Sequence, residues 1–378
     1  LKRSMVILEV TPPVSVDKSS AATEQLFSVV HGLISTRRLK DRILNRSASL
    51  SFENISSKQH GIRYLIRVES KLAHTIKQAI ISYLPDVKIK TATDNLHESN
   101  NEVIEFKQTG HFVFPLKESL PYEQHDPMAY ITGSMTKTKA DEQLSYQIVL
   151  KPIKLRAAND LSHRILGNED ILSQMHKSKI PVIQTLLNLV TKTMFAVTDT
   201  AGEIYHGPTK GSQRSASKDA QFQMQVSTRQ RPARTLSAFE LELMESMHRK
   251  VRQPLFQASI RVMVHSDDMQ STHERISSLK SALDAYSTAP YQQIKVKMQI
   301  PAITRYRLYL YKNRLQPLRR RSSMILSVSE VASLFHFQDS RHSRADNLVS
   351  SLSRTLPAPI SLKGGNKLDV LIGENNHQ

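Results

Sequence analysis

The sequence predicts an α+β protein built from tandem ferredoxin-like (β-α-β-β-α-β) units, and three observations lead there. Strand-period and helix-period apolar patterns alternate in that order over residues 1–95. The same order begins again over 96–153 and finishes over 254–300, around a long insertion. Apolar residues make up 39% and charged residues 23% of 378, the balance of a folded chain with material for two or three cores.

In the first unit, Met5–Val10 is an apolar strand ended by Pro12 and Pro13. Ser19 and Ser20 are N-cap candidates for a helix whose Leu26, Phe27, Val30, Leu33 and Ile34 share one face. Leu50–Ile55 and Ile62–Val68 flank a polar connection containing His60-Gly61, the pattern of a hairpin. A second helix carries Leu72, Ile76, Ile80 and Tyr83 on one stripe and stops at Pro85; Val87–Ala92 closes the unit as a strand.

In the second unit, Phe112–Leu116 reads as a strand, Asp126–Lys137 as a helix starting at Pro127, and Leu144–Ile153 as a strand. Beyond the insertion follow a strand at Leu255–Val264, a helix at Ser271–Tyr286 and a strand at Ile294–Ile300. Ser271 with Glu274 has the spacing of a capping box, and Ile276, Leu279, Leu283 and Tyr286 form the apolar stripe. The echo of IRYLIRV (Ile62–Val68) in ASIRVMV (Ala258–Val264) is consistent with duplication.

The insertion, 154–253, reads as helical over Leu155–Val197 and as a flexible basic linker over 206–235, with helix returning at Ser237 and Glu240 as its capping partner. Lys210, Arg214, Lys218, Arg229, Arg231 and Arg234 face only Asp219 in that linker, so it is either a polyanion-binding arm or a solvated tether. Residues 301–378 hold a basic segment, a short helix capped by Ser327 with Glu330, and a strand signal at Leu368–Ile372. Leu1 in place of a methionine, and a break at Gly373 just before the end, read as the ends of a piece of a longer chain.

A formal charge of +18 favours polyanions through counterion release and long-range steering; the alternative is a solvated basic surface. Zero cysteines exclude a disulfide framework, a zinc ribbon and a thiol nucleophile. Ile180–Val197 is interrupted by Pro181, Gln184, Asn188 and Lys192, too polar for a membrane span of about 20 apolar residues.

Catalytic motifs are missing at the spacing chemistry needs. Gly207–Ser212 and Leu362–Gly365 lack the order of a phosphate loop. His336 and His342 show no carboxylate at metal-ligand spacing. No catalytic residue, metal or cofactor is therefore expected in this chain. The best binding candidate is Thr304–Arg321. Read as extended, it places Arg305, Arg307, Tyr309 and Tyr311 on one face and Tyr306, Leu308 and Leu310 on the other, with Lys312, Arg314, Arg319, Arg320 and Arg321 adding charge. Cations for phosphates and tyrosines for unpaired bases are the equipment of sequence-tolerant single-strand binders. The alternative is a basic edge strand that resists edge pairing.

Several blocks resemble one family. LSVSEVASLFHF (Leu326–Phe337), LPAPISLK, KLDVLIGEN, ILEVTPP (Ile7–Pro13), ATEQLFSVVHGL (Ala22–Leu33) and HDPMAYITGSMTK (His125–Lys137) are similar to the region preceding the nucleotide-binding core of conjugative DNA-transfer ATPases, the type IV secretion coupling and HerA/FtsK-like motors. The resemblance implies a non-catalytic accessory region that positions DNA, relaxase or sibling subunits. It places ATP and magnesium in a motor domain beyond these residues. It also implies homo-oligomers, hexameric in such motors, and a cytoplasmic location at the inner membrane face through an upstream anchor. The competing reading is a protein-interaction or membrane-surface scaffold with no nucleic-acid role.

Overall fold

A computed structural model of the chain describes residues 4–13, 16, 19–35, 49–93, 101–117, 126, 128–155, 158, 238–288, 291–317, 323–338 and 349. In chain order the elements are β1 (Met5–Thr11), α1 (Ser20–Ser35), β2 (Leu50–Ser57), β3 (Gly61–Glu69), α2 (Ser70–Tyr83), β4 (Lys88–Ala92), β5 (Asn101–Gln108), α3 (Met128–Ser134), β6 (Gln143–Ile153), α4 (Ala238–Arg252), β7 (Leu255–His265), α5 (Met269–Asp284), β8 (Ile294–Val296), α6 (Pro301–Lys312), β9 (Met324–Ser327) and α7 (Val328–Leu334). The chain divides into two compact units, one of Leu1–Lys154 with Gln253–Gln378 and one of Leu155–Arg252.

In the larger unit nine strands form one antiparallel sheet, ordered β4-β1-β3-β2-β6-β7-β5-β8, with β9 paired to β7. Strand period decides its two faces. Leu8 and Val10, Tyr64 and Ile66, Phe52, Tyr146 and Ile148, Ile260 and Val262, and Ile104 and Phe106 point to one side and join the main core. Phe27, Val30 and Ile34 of α1, Ile76 and Ile80 of α2, Leu279 and Leu283 of α5, and Val331 and Leu334 of α7 cover that side. The intervening strand residues, among them Glu9, Glu53, Gln147, Arg261 and Glu105, point to the other side.

Local chemistry sets several boundaries. Ser19 Oγ accepts from the Ala22 amide at 3.3 Å and starts α1. The β2–β3 hairpin closes at Ser57 opposite Gly61, and Gly61 takes φ 64°, a left-handed conformation that costs glycine nothing. Ser327 and Glu330 form the expected capping box on α7.

Four expectations are corrected. The strand that opens the second half is Asn101–Gln108, not Phe112–Leu116. Residues 111–116 instead form a turn in which Gln292 Nε2 donates to the His111 and Phe114 carbonyls at 3.0 and 3.2 Å, and Pro115 has no ladder donor to give. Helix α5 is capped by Asp268, whose side chain accepts from the Gln270 amide, while Ser271 Oγ donates to Glu142. Strand β8 ends at Val296 rather than Ile300, because Pro301 opens a helix. Finally, Thr304–Tyr311 is not extended; it lies within α6.

In the smaller unit, α4 buries Leu243, Met247 and Val251 at four-residue spacing. Glu240 lies in its first turn and Arg249 and Arg252 in its last, as the helix dipole favours. The readings made for Leu155–Val197, for the linker 206–235, for Arg319–Arg321 and for Leu368–Ile372 fall outside the described residues.

Candidate nucleic-acid interface

Register places one polar row straight across the helix-poor side of the sheet. Glu9 lies opposite Leu65, Leu65 opposite Glu53, Glu53 opposite Gln147, Gln147 opposite Arg261, and Arg261 opposite Glu105. Glu53, Gln147, Arg261 and Glu105 are all buried, so each charge needs a partner. Arg314 supplies one to Glu53, at 2.9 and 3.2 Å. Lys297 Nζ reaches Glu105 at 2.8 Å. Gln147 works between the charges: its amide oxygen accepts from Arg261 at 3.3 Å and its nitrogen donates to Glu53 at 3.4 Å.

Helix α6 lies over this row, and the row caps it. The Tyr309, Leu310 and Tyr311 carbonyls at its end accept from the Asn313, Leu315 and Arg314 amides, and side chains of the row add further donors. Here Arg261 donates to the Leu310 and Leu315 carbonyls at 3.3 and 2.6 Å, Gln147 to Tyr311 at 3.2 Å, and Arg67 to Asn313. Burial depresses the Arg261 guanidinium, and Glu105 opposes that shift first among its neighbours. Burial likewise lowers the Lys297 ammonium, against the pull of Glu105. Tyr311 adds a small apolar contact with Val103, Met263 and Leu308.

The helix therefore sorts the expected binding residues by a period of 3.6 instead of 2. Arg307, Tyr311 and Arg314 turn inward: Arg307 donates to Gln299 and the Met298 carbonyl, Tyr311 is 1% exposed, and Arg314 holds Glu53. Arg305 and Tyr309 are exposed, Tyr309 by 55%, and Lys312 is half-buried. Spacings of four and three put Arg305, Tyr309 and Lys312 on one outward stripe. Tyr306, assigned by strand alternation to the packing face, is exposed beside them. Arg319, Arg320 and Arg321 lie outside the described residues. The middle of the polar row, with Glu9, Glu53 and Glu105 in line, is buried and acidic, whereas the outer side of α6 carries Arg305, Tyr309 and Lys312.

A second buried polar centre joins α3 to α7. His336 Nε2 lies 2.8 Å from Asp126 Oδ1, Gln338 donates to Asp126 Oδ2 at 2.9 Å, and Asp126 Oδ1 also accepts from the Met128 amide at 2.7 Å. Linear spacing hid this carboxylate partner of His336, 210 residues away. Burial raises the Asp126 carboxyl, but the His336 charge and these hydrogen bonds outweigh it and hold the group below its ordinary range. No group of three or more His, Cys, Asp or Glu suited to a metal occurs among the described residues. No described helix is long and apolar enough to cross a membrane.

Among the described residues, fold and surface define a mixed α+β protein with a nine-stranded antiparallel sheet and a basic, aromatic helix on its polar side. A family model described as a domain of unknown function, DUF8128, matches residues 2–346, and the chain belongs to that family. No curated protein matches the chain.

Proposed function

We propose that the chain is a non-catalytic accessory region of a DNA-transfer ATPase of the conjugative, type IV secretion class, and that it holds single-stranded DNA without reading its sequence. The observation that carries this is the outward stripe of α6, where Arg305, Tyr309 and Lys312 share one face with Tyr306 beside it and no acidic residue occurs in the helix. Cations neutralise phosphates and exposed tyrosine rings stack on bases. The formal charge of +18 supplies the steering field.

The architecture supports a tandem reading. The halves β4-β1-β3-β2 and β8-β5-β7-β6 each place their fourth, first, third and second strands in that order, as two ferredoxin-like units joined through β2 and β6 would. On this reading ATP and magnesium belong to a motor domain, the relaxase and sibling subunits are further partners, assembly is homo-oligomeric, and the location is the cytoplasmic face of the membrane.

The test is salt-dependent binding of fluorescent oligo(dT) to the full chain, comparing wild type with R305Q/K312Q and Tyr309→Ala. Weaker binding and a shallower salt slope in the double variant are expected. Equal affinity and equal slope would remove the stripe from consideration. A second reading, a protein-interaction or membrane-surface scaffold, draws on Met298, Ile300 and Ile303, exposed apolar residues just before and at the start of α6. Flotation with anionic liposomes and no retention of oligo(dT) would favour it.

A further inference from the structure

Helix α6 runs across the strands rather than along them. Its contacts step from Val103 of β5 at Leu308, through Arg261 of β7 at Leu310 and Gln147 of β6 at Tyr311, to Arg67 of β3 at Asn313 and Glu53 of β2 at Arg314. The outward stripe therefore points from one end of the sheet to the other, and cations await it at both ends.

At the β4 end, strand alternation puts Lys88 and Lys90 on the same side as α6, because Ile89 between them packs against the core. Arg63 and Arg67 share that side, since Tyr64, Ile66 and Val68 point into the core. Glu9 lies within reach of both Arg63 at 3.6 Å and Lys90 at 3.4 Å. The Arg63 Nε is buried with no hydrogen-bond partner among the described residues.

At the β8 end, Lys107 and Lys295 lie directly opposite each other in register, on the side away from Phe106 and Ile294 of the core. Both are exposed. Like charges facing across a strand pair destabilise it, and a bound polyanion offsets that cost.

We infer that Lys295 and Lys107, the α6 stripe of Arg305, Tyr309 and Lys312, and Arg67, Lys90 and Lys88 form one continuous track for a single-stranded polynucleotide across the polar side of the sheet. This rests on the nucleic-acid reading above and extends it from a helix face to a path. Eight strands at about 4.8 Å span roughly 34 Å, which accommodates at most about ten nucleotides, the number reached at the stacked duplex rise of about 3.4 Å per strand. Glu53 and Glu105 stay out of the path, because both are buried and paired with Arg314 and Lys297.

The experiment measures binding of the full chain to an oligo(dT) ladder reaching below and above about ten nucleotides, over a range of salt. Wild type is compared with K88Q/K90Q, K107Q/K295Q and R305Q/K312Q. Each pair should lower the salt slope by about 1.4, at about 0.7 per phosphate contact on a single strand. Affinity should stop rising at or below about ten nucleotides. Lys88→Gln alone serves as a further variant that leaves the Lys90–Glu9 pair in place, and unchanged melting curves confirm folding. Full slope in both edge variants, with loss confined to R305Q/K312Q, overturns the track and leaves the α6 reading standing. No retention of oligo(dT) by wild type overturns both, as does preference for phosphatidylserine vesicles over oligo(dT).

Discussion

Arg314 and Glu53 meet beneath α6 as a two-pronged ion pair, Nε to Oε1 at 2.9 Å and Nη2 to Oε2 at 3.2 Å, with both side chains at most 2% exposed. They are 261 residues apart in sequence. Arg314 reaches Glu53 from a left-handed backbone, φ 53°, at the turn that ends α6. Ser51 and Gln147 also donate to Glu53, so removing the arginine leaves a buried carboxylate with neutral partners only. Arg314→Ala is expected to cost about 3–5 kcal/mol in denaturant unfolding, whereas E53L/R314M, which removes both charges, should cost much less. Equal losses in the two variants would mean that the pair is not what holds α6 down.

Two of the three tyrosines of α6, Tyr309 and Tyr311, are expected to separate stability from oligo(dT) binding. Tyr311 is buried against Val103 and Met263, and Tyr311→Ala should destabilise by about 3–5 kcal/mol. Tyr309 is 55% exposed, and Tyr309→Ala should change stability by less than about 0.5 kcal/mol while weakening oligo(dT) binding by about 1–3 kcal/mol. An extended Thr304–Tyr311 would put both rings on one face, and the two variants would then behave alike.

Gly110 marks a close approach of two chain segments. A Cβ there would lie 2.1 Å from the Tyr291 carbonyl oxygen, a backbone atom that cannot swing aside. Its own amide donates to Gln292 Oε1 at 2.8 Å, the side chain that also holds the His111 turn. Gly110→Ala is expected to lower stability by about 1–3 kcal/mol, read as a reduced denaturation midpoint at unchanged slope.

The Asp126 centre gives the stability curve an acid limb. Asp126 has a folded value below its ordinary one, so its contribution is present above the unfolded value and is lost as pH falls through the folded value. Wild type should lose stability progressively below about pH 4 as this carboxylate is protonated. Asp126→Asn should be less stable at neutral pH and fall less steeply in acid. Parallel acid limbs in the two proteins would show that the group lacks this role.

Much of the sheet was legible in the sequence because apolar alternation and turn residues act locally. Leu50–Ile55 and Ile62–Val68 with His60-Gly61 between them became β2 and β3, and Ser327 with Glu330 became the cap of α7. Asn101–Gln108 carries a weak strand signal because Glu102 and Glu105 interrupt its pattern, and the Arg261 and Lys297 side chains account for a buried Glu105. The richer apolar run at Phe112–Leu116 drew the strand assignment instead.

From the residues alone follow the α+β class, the first four strands, the apolar faces of the two helices among them, the basic charge and the residue types of the α6 stripe. Tertiary structure decided which of those residues face outward. The peptide Thr304–Tyr311 has aromatic and branched side chains that suit a strand or a helix about equally well. Pro301 opens the helix, and side chains of the sheet beneath, Arg67, Gln147 and Arg261, tie its end down by donating to the Asn313, Tyr311 and Leu310 carbonyls. Those donors come from three strands far away in sequence, so no local pattern near residue 304 could announce them. Their presence turns Arg307, Tyr311 and Arg314 inward and leaves Arg305, Tyr309 and Lys312 as the surface.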